Sequence, residues 1–163
     1  MEKIVRNYLE IKSINELSEV KKPSNNFSLK EVSTNDFQLN KFFYKQIGKY
    51  HHWIDRLVWT DKNWIEYISN PNLFTFVLKK NEDIAGFFEL IYHQNKSEIE
   101  IAYFGLLKEY LGKKLGGYML SEAIKKSFSY NVKRVWVHTC SLDHRYALNN
   151  YLSRGMKIYY TET

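Results

Sequence analysis

The sequence predicts a mixed α/β sandwich, a mostly antiparallel central sheet flanked by helices, on three observations. Between Phe74 and Leu107, three short aromatic and β-branched runs follow one another across polar turns, the pattern of consecutive antiparallel strands. Beyond Leu107 the apolar period lengthens to that of a helix, and strand-like and helical runs then alternate. With 163 residues, 44% of them hydrophobic and 17% aromatic, the chain can bury one substantial core. A single domain over 1–163 is expected, with 1–26 as an N-terminal extension packed on or preceding the core.

In order along the chain, Ile4 to Ile11 reads as a short strand and Ile14 to Val20 as a helical turn or short helix. Lys21 to Asn26 is a loop, because its Pro, Ser and Asn residues disfavour regular structure. Phe27 to Val32 alternates apolar and polar residues as a half-buried strand does. Ser33, Thr34, Asn35 and Asp36 offer N-caps to a helix carrying Phe37, Leu39, Phe42, Phe43 and Ile47 and stopping at Gly48. A second helix begins at Thr60-Asp61, carries Trp64, Ile65, Tyr67 and Ile68, and ends before Pro71. Phe74–Leu78, Ile84–Tyr92 and Ile99–Leu107 are the three meander strands. Leu115, Met119, Leu120, Ala123, Ile124, Ser127 and Phe128 keep the spacing of an amphipathic helix. Val135 to Val137 is a short buried strand, Tyr146 to Arg154 a short helix, and Met156 to Tyr160 a last strand. The sum is a three- to four-strand antiparallel meander followed by strand–helix–strand units.

Composition narrows the function classes. The lone Cys140 excludes a disulfide framework and any multi-cysteine metal cluster. His51-His52 lacks partners at metal-ligand spacing, so no metal site is expected. No apolar run approaches the ~20 residues of a membrane span, and the start lacks the apolar stretch of a signal peptide. A cytoplasmic protein is expected. Its 24 basic against 18 acidic residues, net +6, suit an anionic partner, which could be nucleic acid or a phosphorylated small molecule.

The segment Leu106 to Gly117 is the most informative. It joins a strand to the long helix and carries Gly112, Lys113, Lys114, Gly116 and Gly117. A helix N-terminus with nearby glycines exposes backbone N–H groups to a phosphate, and lysines add charge. The same segment also reads as a plain Gly-rich connection with solvated lysines.

This segment and its flanks resemble the GNAT acyltransferase superfamily, whose members bind acetyl-CoA. The family's cofactor-turn positions fall on Leu111, Lys114 and Gly116, of which only Gly116 matches strictly, with Tyr110, Gly112 and Lys113 in familiar company. Leu111 and Lys114 depart from the pattern: one cannot hydrogen-bond through its side chain, and the other brings a Cβ where Gly is usual. A second match places Ala147, Tyr151 and Gly155 at the family's spacing, with His144 where the family has Asn. Trp53 to Trp59 and His138 to His144 carry the flavour of a bacterial subgroup.

The resemblance implies an acetyl-CoA-dependent N-acetyltransferase acting on a primary amine of a small molecule or peptide by direct attack. It assigns a general base to Glu100, with Glu89 on the neighbouring strand as rival, and a general acid for the departing thiolate to Tyr151. Cofactor contacts fall on Phe104, Gly105 and Leu106, where a bulge at Gly105 would be cheap and neighbouring strands splay. They continue through Leu111, Gly112, Lys113, Lys114, Leu115, Gly116 and Gly117, and include His144. Glu100 is expected to share a strand face with Ala102, Phe104 and Leu106. Trp53, Asp55 and Trp59, with Glu89 and Arg56 nearby, would enclose the acceptor, Asp55 pairing the ammonium and Trp forming a cation–π wall. Arg56 could instead pair internally with Asp55, and Cys140 is expected to be a small strand-end residue. The partners implied are acyl-CoA and an amine, with no nucleic acid or membrane, the protein being a monomer or homodimer. A non-catalytic CoA-binding module and a basic nucleic-acid binder are the alternatives.

Overall fold

The computed structural model describes residues 3–32 and 36–163. Among the described residues, seven strands form one sheet: β1 (Arg6–Ile11), β2 (Phe27–Glu31), β3 (Leu73–Lys80), β4 (Asp83–His93), β5 (Glu98–Leu106), β6 (Arg134–Cys140) and β7 (Lys157–Glu162). Four α-helices accompany them: α1 (Gln38–Gly48), α2 (Asp61–Ile68), α3 (Leu115–Phe128) and α4 (Ala147–Ser153). Spatial order is β2-β3-β4-β5-β6-β1-β7. The meander β2 to β5 is antiparallel throughout, as its alternating aromatic runs predict, and β5 with β6 is the parallel pair. The mixed α/β class and the mostly antiparallel sheet are therefore as expected.

The C-terminal half departs from the simple strand–helix–strand reading. β6 and β7 are not neighbours, because β1 lies between them, antiparallel to both. Its alternation accounts for this: Leu9 and Ile11 are fully buried while Arg6, Tyr8 and Glu10 point to the other face. Arg134 clamps the junction, donating from Nε to Glu98 Oε2 at 2.7 Å and from Nη1 to Glu10 Oε1 at 2.9 Å. The helical turn or short helix expected over Ile14 to Val20 is a 3-10 turn, Ile14–Glu16, whose Asn15 N–H is capped by Ser13 Oγ.

Two helical layers cover the sheet. α3 buries Leu115, Tyr118, Met119, Ala123 and Ile124 in one core with Ile99, Ile101, Leu106, Val135 and Val137. On the opposite face, α1 packs Phe43 and Ile47 on Val77 and Phe87, and Tyr44 meets Trp64 of α2. α2 is opened by a capping box, Thr60 with Asn63. For α1, the expected caps Ser33, Thr34 and Asn35 lie outside the described residues, while Asp36 Oδ1 accepts the Gln38 N–H at 2.9 Å.

The feature that positions everything else is a bulge in β5. Glu100 pairs Ile91 and Ile101 pairs Leu90, but Tyr103 pairs Glu89, leaving Ala102 as the extra residue. The bulge is thus at Ala102, not Gly105. Gly105 is a glycine for another reason, since a Cβ there would meet Ile47 Cγ2 of α1 at 2.7 Å. The extra residue also inverts the expected alternation: Glu100 shares its face with Tyr103 and Gly105, whereas Phe104 and Leu106 join Ile101 on the α3 face. Glu89 lies on the Glu100 face as well. Pairing of β5 with β6 stops at Glu100↔Trp136, so the two strands diverge beyond that point.

Candidate functional site

The divergence of β5 and β6 opens a cavity of about 910 Å³ that runs through the sheet. One end lies on the α3 face, at the N-terminus of that helix, and the other on the α1–α2 face.

At the α3 end, Leu111 is extended, Gly112 has φ +78° and Lys114, the residue preceding the helix, has φ +62°. The left-handed turn at Gly112 needs glycine. Lys114 holds a comparable conformation with a side chain, a strain of roughly 1–3 kcal/mol in such residues, so the departure from glycine there leaves the backbone path intact. Lys114 provides no side-chain cap, and the first turn of α3 holds no acidic residue, so its N–H groups face the cavity side with their positive dipole uncancelled. Leu111, Gly112, Lys114, Leu115, Gly116 and Gly117 all line the cavity; Lys113 does not, its ammonium standing 5.7 Å from the Tyr110 ring centroid. Beside this turn is Arg154, whose Nη1 reaches Asn150 Oδ1 at 3.3 Å and whose buried Nε has no partner. A Cβ on Gly117 would collide with Arg154 Nη1.

Along the splayed strands, Phe104, Gly105 and Leu106 line the cavity with Val137 and His138 facing them from β6. Tyr151 of α4 lines it too, its ring edge-on to Phe104 at 6.3 Å. Burial first, and then the charge of Asp143, push the Tyr151 hydroxyl's pKa well up, so it carries its proton at neutral pH. Asp143 is fixed by three donors: Trp53 Nε1–H at 3.3 Å, the Cys140 N–H at 3.0 Å and the Thr139 hydroxyl. His144 lines the cavity, stacks edge-on with His51 at 5.4 Å, and accepts the Tyr146 N–H on Nδ1.

On the α1–α2 face, Glu100 lines the cavity where the strands part, and its Oε1 meets His93 Nε2 at 3.0 Å. His138, two residues beyond the Trp136 that pairs Glu100, lies on the same face and is exposed into the cavity. Desolvation by the cavity walls, with Arg6 nearby, lowers its pKa, so the imidazole is neutral at neutral pH.

Glu89 is placed differently from its expected role. It is 0% exposed and does not line this cavity. Its Oε1 accepts Arg56 Nη2–H at 3.2 Å and the Tyr67 hydroxyl, and its Oε2 accepts Asn40 Nδ2–H at 2.8 Å. With three donors on its carboxylate and no exposed surface, Glu89 is held as the interior partner of Arg56 rather than presented to the cavity. The cation–π wall is likewise occupied from within: the Arg56 guanidinium lies 4.0 Å from the Tyr67 ring centroid, 4.2 Å from Tyr103 and 4.7 Å from Trp59. Arg56 pairs with Glu89, not Asp55. Burial opposes its charge, and Glu89 together with the Tyr67 and Tyr103 hydroxyls outweighs that opposition, so its pKa is raised. Trp53 and the exposed Asp55 do line the cavity, as does Trp59.

Sequence reasoning missed Arg6, His51, His138, Tyr103 and Arg154, all of which line the cavity. Arg154 adjoins the matched Gly155 and was within reach of the motif. Arg6 was not, since only the insertion of β1 brings it beside Cys140. Among the described residues, no His/Cys/Asp/Glu group is placed to hold a metal ion, and no helix is long and apolar enough to cross a membrane.

Comparison with known proteins points one way. Residues 37–156 match the model of the "Acetyltransferase (GNAT) family". No functionally curated protein matches the sequence. Among solved structures, a functionally unknown conserved protein from Staphylococcus epidermidis superposes with TM-score 0.66 at 18% identity, over 98% of this chain and 60% of that one. This chain thus spans less than two thirds of that protein's length. An aminoglycoside acetyltransferase from an uncultured soil metagenomic sample gives 0.65 at 13% identity, covering 82% and 90% of the two chains. The ribosomal-protein-S18-alanine N-acetyltransferase of Escherichia coli gives 0.60 at 18%, covering 79% and 76%. At these identities the likeness is one of fold.

Proposed function

The chain belongs to the GNAT acetyltransferase family, and from that premise we propose that it is a cytosolic enzyme moving an acetyl group from acetyl-CoA to a primary amine by direct attack. The observation that carries this reading is the splay of β5 from β6, with an uncapped helix N-terminus at one end of the opening and Glu100 at the other.

The residues present fit acetyl-CoA. The α3 N-terminus, the open space around Gly112 and the cavity-lining cation of Arg154 suit a diphosphate. Backbone groups of Phe104 to Leu106 that face away from β4 have no strand on their other side, which suits the amides of a pantetheine arm. Bound there, the thioester supplies an activated acetyl group.

Glu100 removes the proton that the attacking ammonium must lose, directly or through a water, with His93 holding its carboxylate at 3.0 Å. His138 stands across the opening as a second neutral acceptor for that proton. Tyr151, protonated at neutral pH, donates its hydroxyl proton to the departing thiolate. Trp53 and the Phe104–Leu106 segment close the site laterally. The test is release of free CoA thiol from acetyl-CoA across a panel of amines. Amine-dependent release supports the enzyme, and tight CoA binding without release by any amine reduces it to a CoA-binding module.

A further inference from the structure

Rings wall the α1–α2 end of the cavity. Trp53, Trp59, Tyr67 and Tyr103 line it half-buried, and so does Ile91 of β4. Trp53 and Tyr103 meet edge to face, their ring centroids 4.9 Å apart. Arg56 fills the cage behind Trp59, Tyr67 and Tyr103, and Glu89 matches its charge from within. What these side chains leave for a ligand is therefore apolar and aromatic surface.

Few charges at this end are free to hold a ligand. Among the described residues lining the cavity, the acids are Asp55, Glu100 and Asp143. Asp143 already accepts from three donors. Glu100 gives one oxygen to His93 and keeps the other. Asp55 is exposed and enters none of the ion pairs among the described residues. His51 and His138 are uncharged at neutral pH, and Arg6 stands at the rim as an accessible cation, its side chain 43% exposed. Asp55 and Glu100 can draw in one ammonium group. A string of ammonium groups would find no further free carboxylate and would meet Arg6.

We infer that the acceptor is an aromatic monoamine, its ring seated on Ile91 and Tyr103 and its amine, on a short alkyl arm, directed to Glu100. This rests on the acetyltransferase reading and adds the chemical class of the acceptor to it. Ile91 pairs Glu100 across the strands, and Tyr103 pairs Glu89, two residues along β4 from Ile91. Directly paired residues hold their Cβ atoms about 5 Å apart, and two residues of strand advance about 7 Å. Glu100, Ile91 and Tyr103 thus share one face within the span of a ring and its arm. A ring entering there gains apolar burial and edge-to-face or offset contacts with the rings around it. A polyamine gains little from such walls, and its extra charges lose water with no carboxylate to replace it.

The experiment uses the intact chain with CoA bound. Three aromatic monoamines, 2-phenylethylamine, tyramine and tryptamine, are compared with propylamine, which lacks the ring, and with spermidine, which multiplies the charge. Binding is read by calorimetry and transfer by thiol release with acetyl-CoA. At least one aromatic monoamine should bind about tenfold or more tighter than both propylamine and spermidine. Propylamine or spermidine binding as tightly as every aromatic monoamine overturns the inference, as does the absence of binding by all three, even where another amine is acetylated efficiently. Failure of transfer with the aromatic preference intact overturns the enzyme reading and leaves the ring seat standing. Ile91→Ala, checked for folding by its CoA affinity, should shrink the ratio of aromatic to propylamine affinity. An unchanged ratio overturns the seat on Ile91.

Discussion

Replacing Glu89 with Gln removes one charge from the interior at nearly constant volume. The partner charge, Arg56, stays behind 94% buried, 3.2 Å from where the carboxylate oxygen was. At an effective dielectric of about 20, two unit charges at that separation interact by about 5 kcal/mol, and orphaning one member of a buried pair typically costs about 3–5 kcal/mol. Glu89→Gln should therefore lose about 3–5 kcal/mol in urea unfolding, with the denaturant slope unchanged. In a chain of this size that lowers the melting temperature by about 6–20 °C. The double replacement Glu89→Gln with Arg56→Met should be less destabilised than Glu89→Gln alone, because no uncompensated charge remains. A loss below about 1 kcal/mol for the single variant would refute the buried pair as drawn. Lost turnover with full stability would return Glu89 to the catalytic machinery.

Other outcomes follow from the site. Glu100→Gln should lower kcat by about 10²–10⁴ at neutral pH while leaving CoA affinity within error by calorimetry. Tyr151→Phe keeps the ring against Phe104 and should slow transfer most with poor thiol leaving groups, read by comparing acyl donors under conditions where chemistry limits the rate. Arg154→Ala should weaken CoA binding at low salt and less so at high salt, by calorimetry at two ionic strengths. His51 and His138 are both held below the ordinary histidine pKa, chiefly by burial. Below about pH 6.5 the unfolded chain takes up protons that the folded one refuses, so stability falls as pH drops through the lowered folded values. Urea midpoints across pH 5 to 8 should show this slope, and His51→Gln with His138→Gln should flatten it.

What could be read from the sequence was local. The meander from Phe74 to Leu107 announced itself through alternation, and α3 through its apolar spacing, because both patterns follow from neighbours a few residues apart. The position of β1 could not be read, since Leu9 and Ile11 alternate like any half-buried strand and nothing local says that β6 and β7 will flank them. The Ala102 bulge was equally hidden. It leaves no residue-type mark, yet it turns Glu100 away from Phe104 and Leu106 and starts the splay. The site divides the same way. The turn from Leu111 to Gly117 and Tyr151 were legible as motif positions and, Lys113 excepted, do line the cavity. The Arg56–Glu89 pair joins residues 33 apart, so sequence offered Asp55 as the nearer partner. Lys114 looked like a defect in the cofactor turn, and only its φ of +62° shows a lysine following glycine's path.

In the proposed reaction, acetyl passes directly to an amine at the mouth between β5 and β6. Mass analysis of an amine panel incubated with the protein and acetyl-CoA tests it most directly, with Glu100→Gln run alongside. An acceptor should gain one acetyl group with the native chain and gain it far more slowly with Glu100→Gln at equal CoA occupancy. Absence of acetylated product from every amine at saturating acetyl-CoA, or equal product from both proteins, would contradict it.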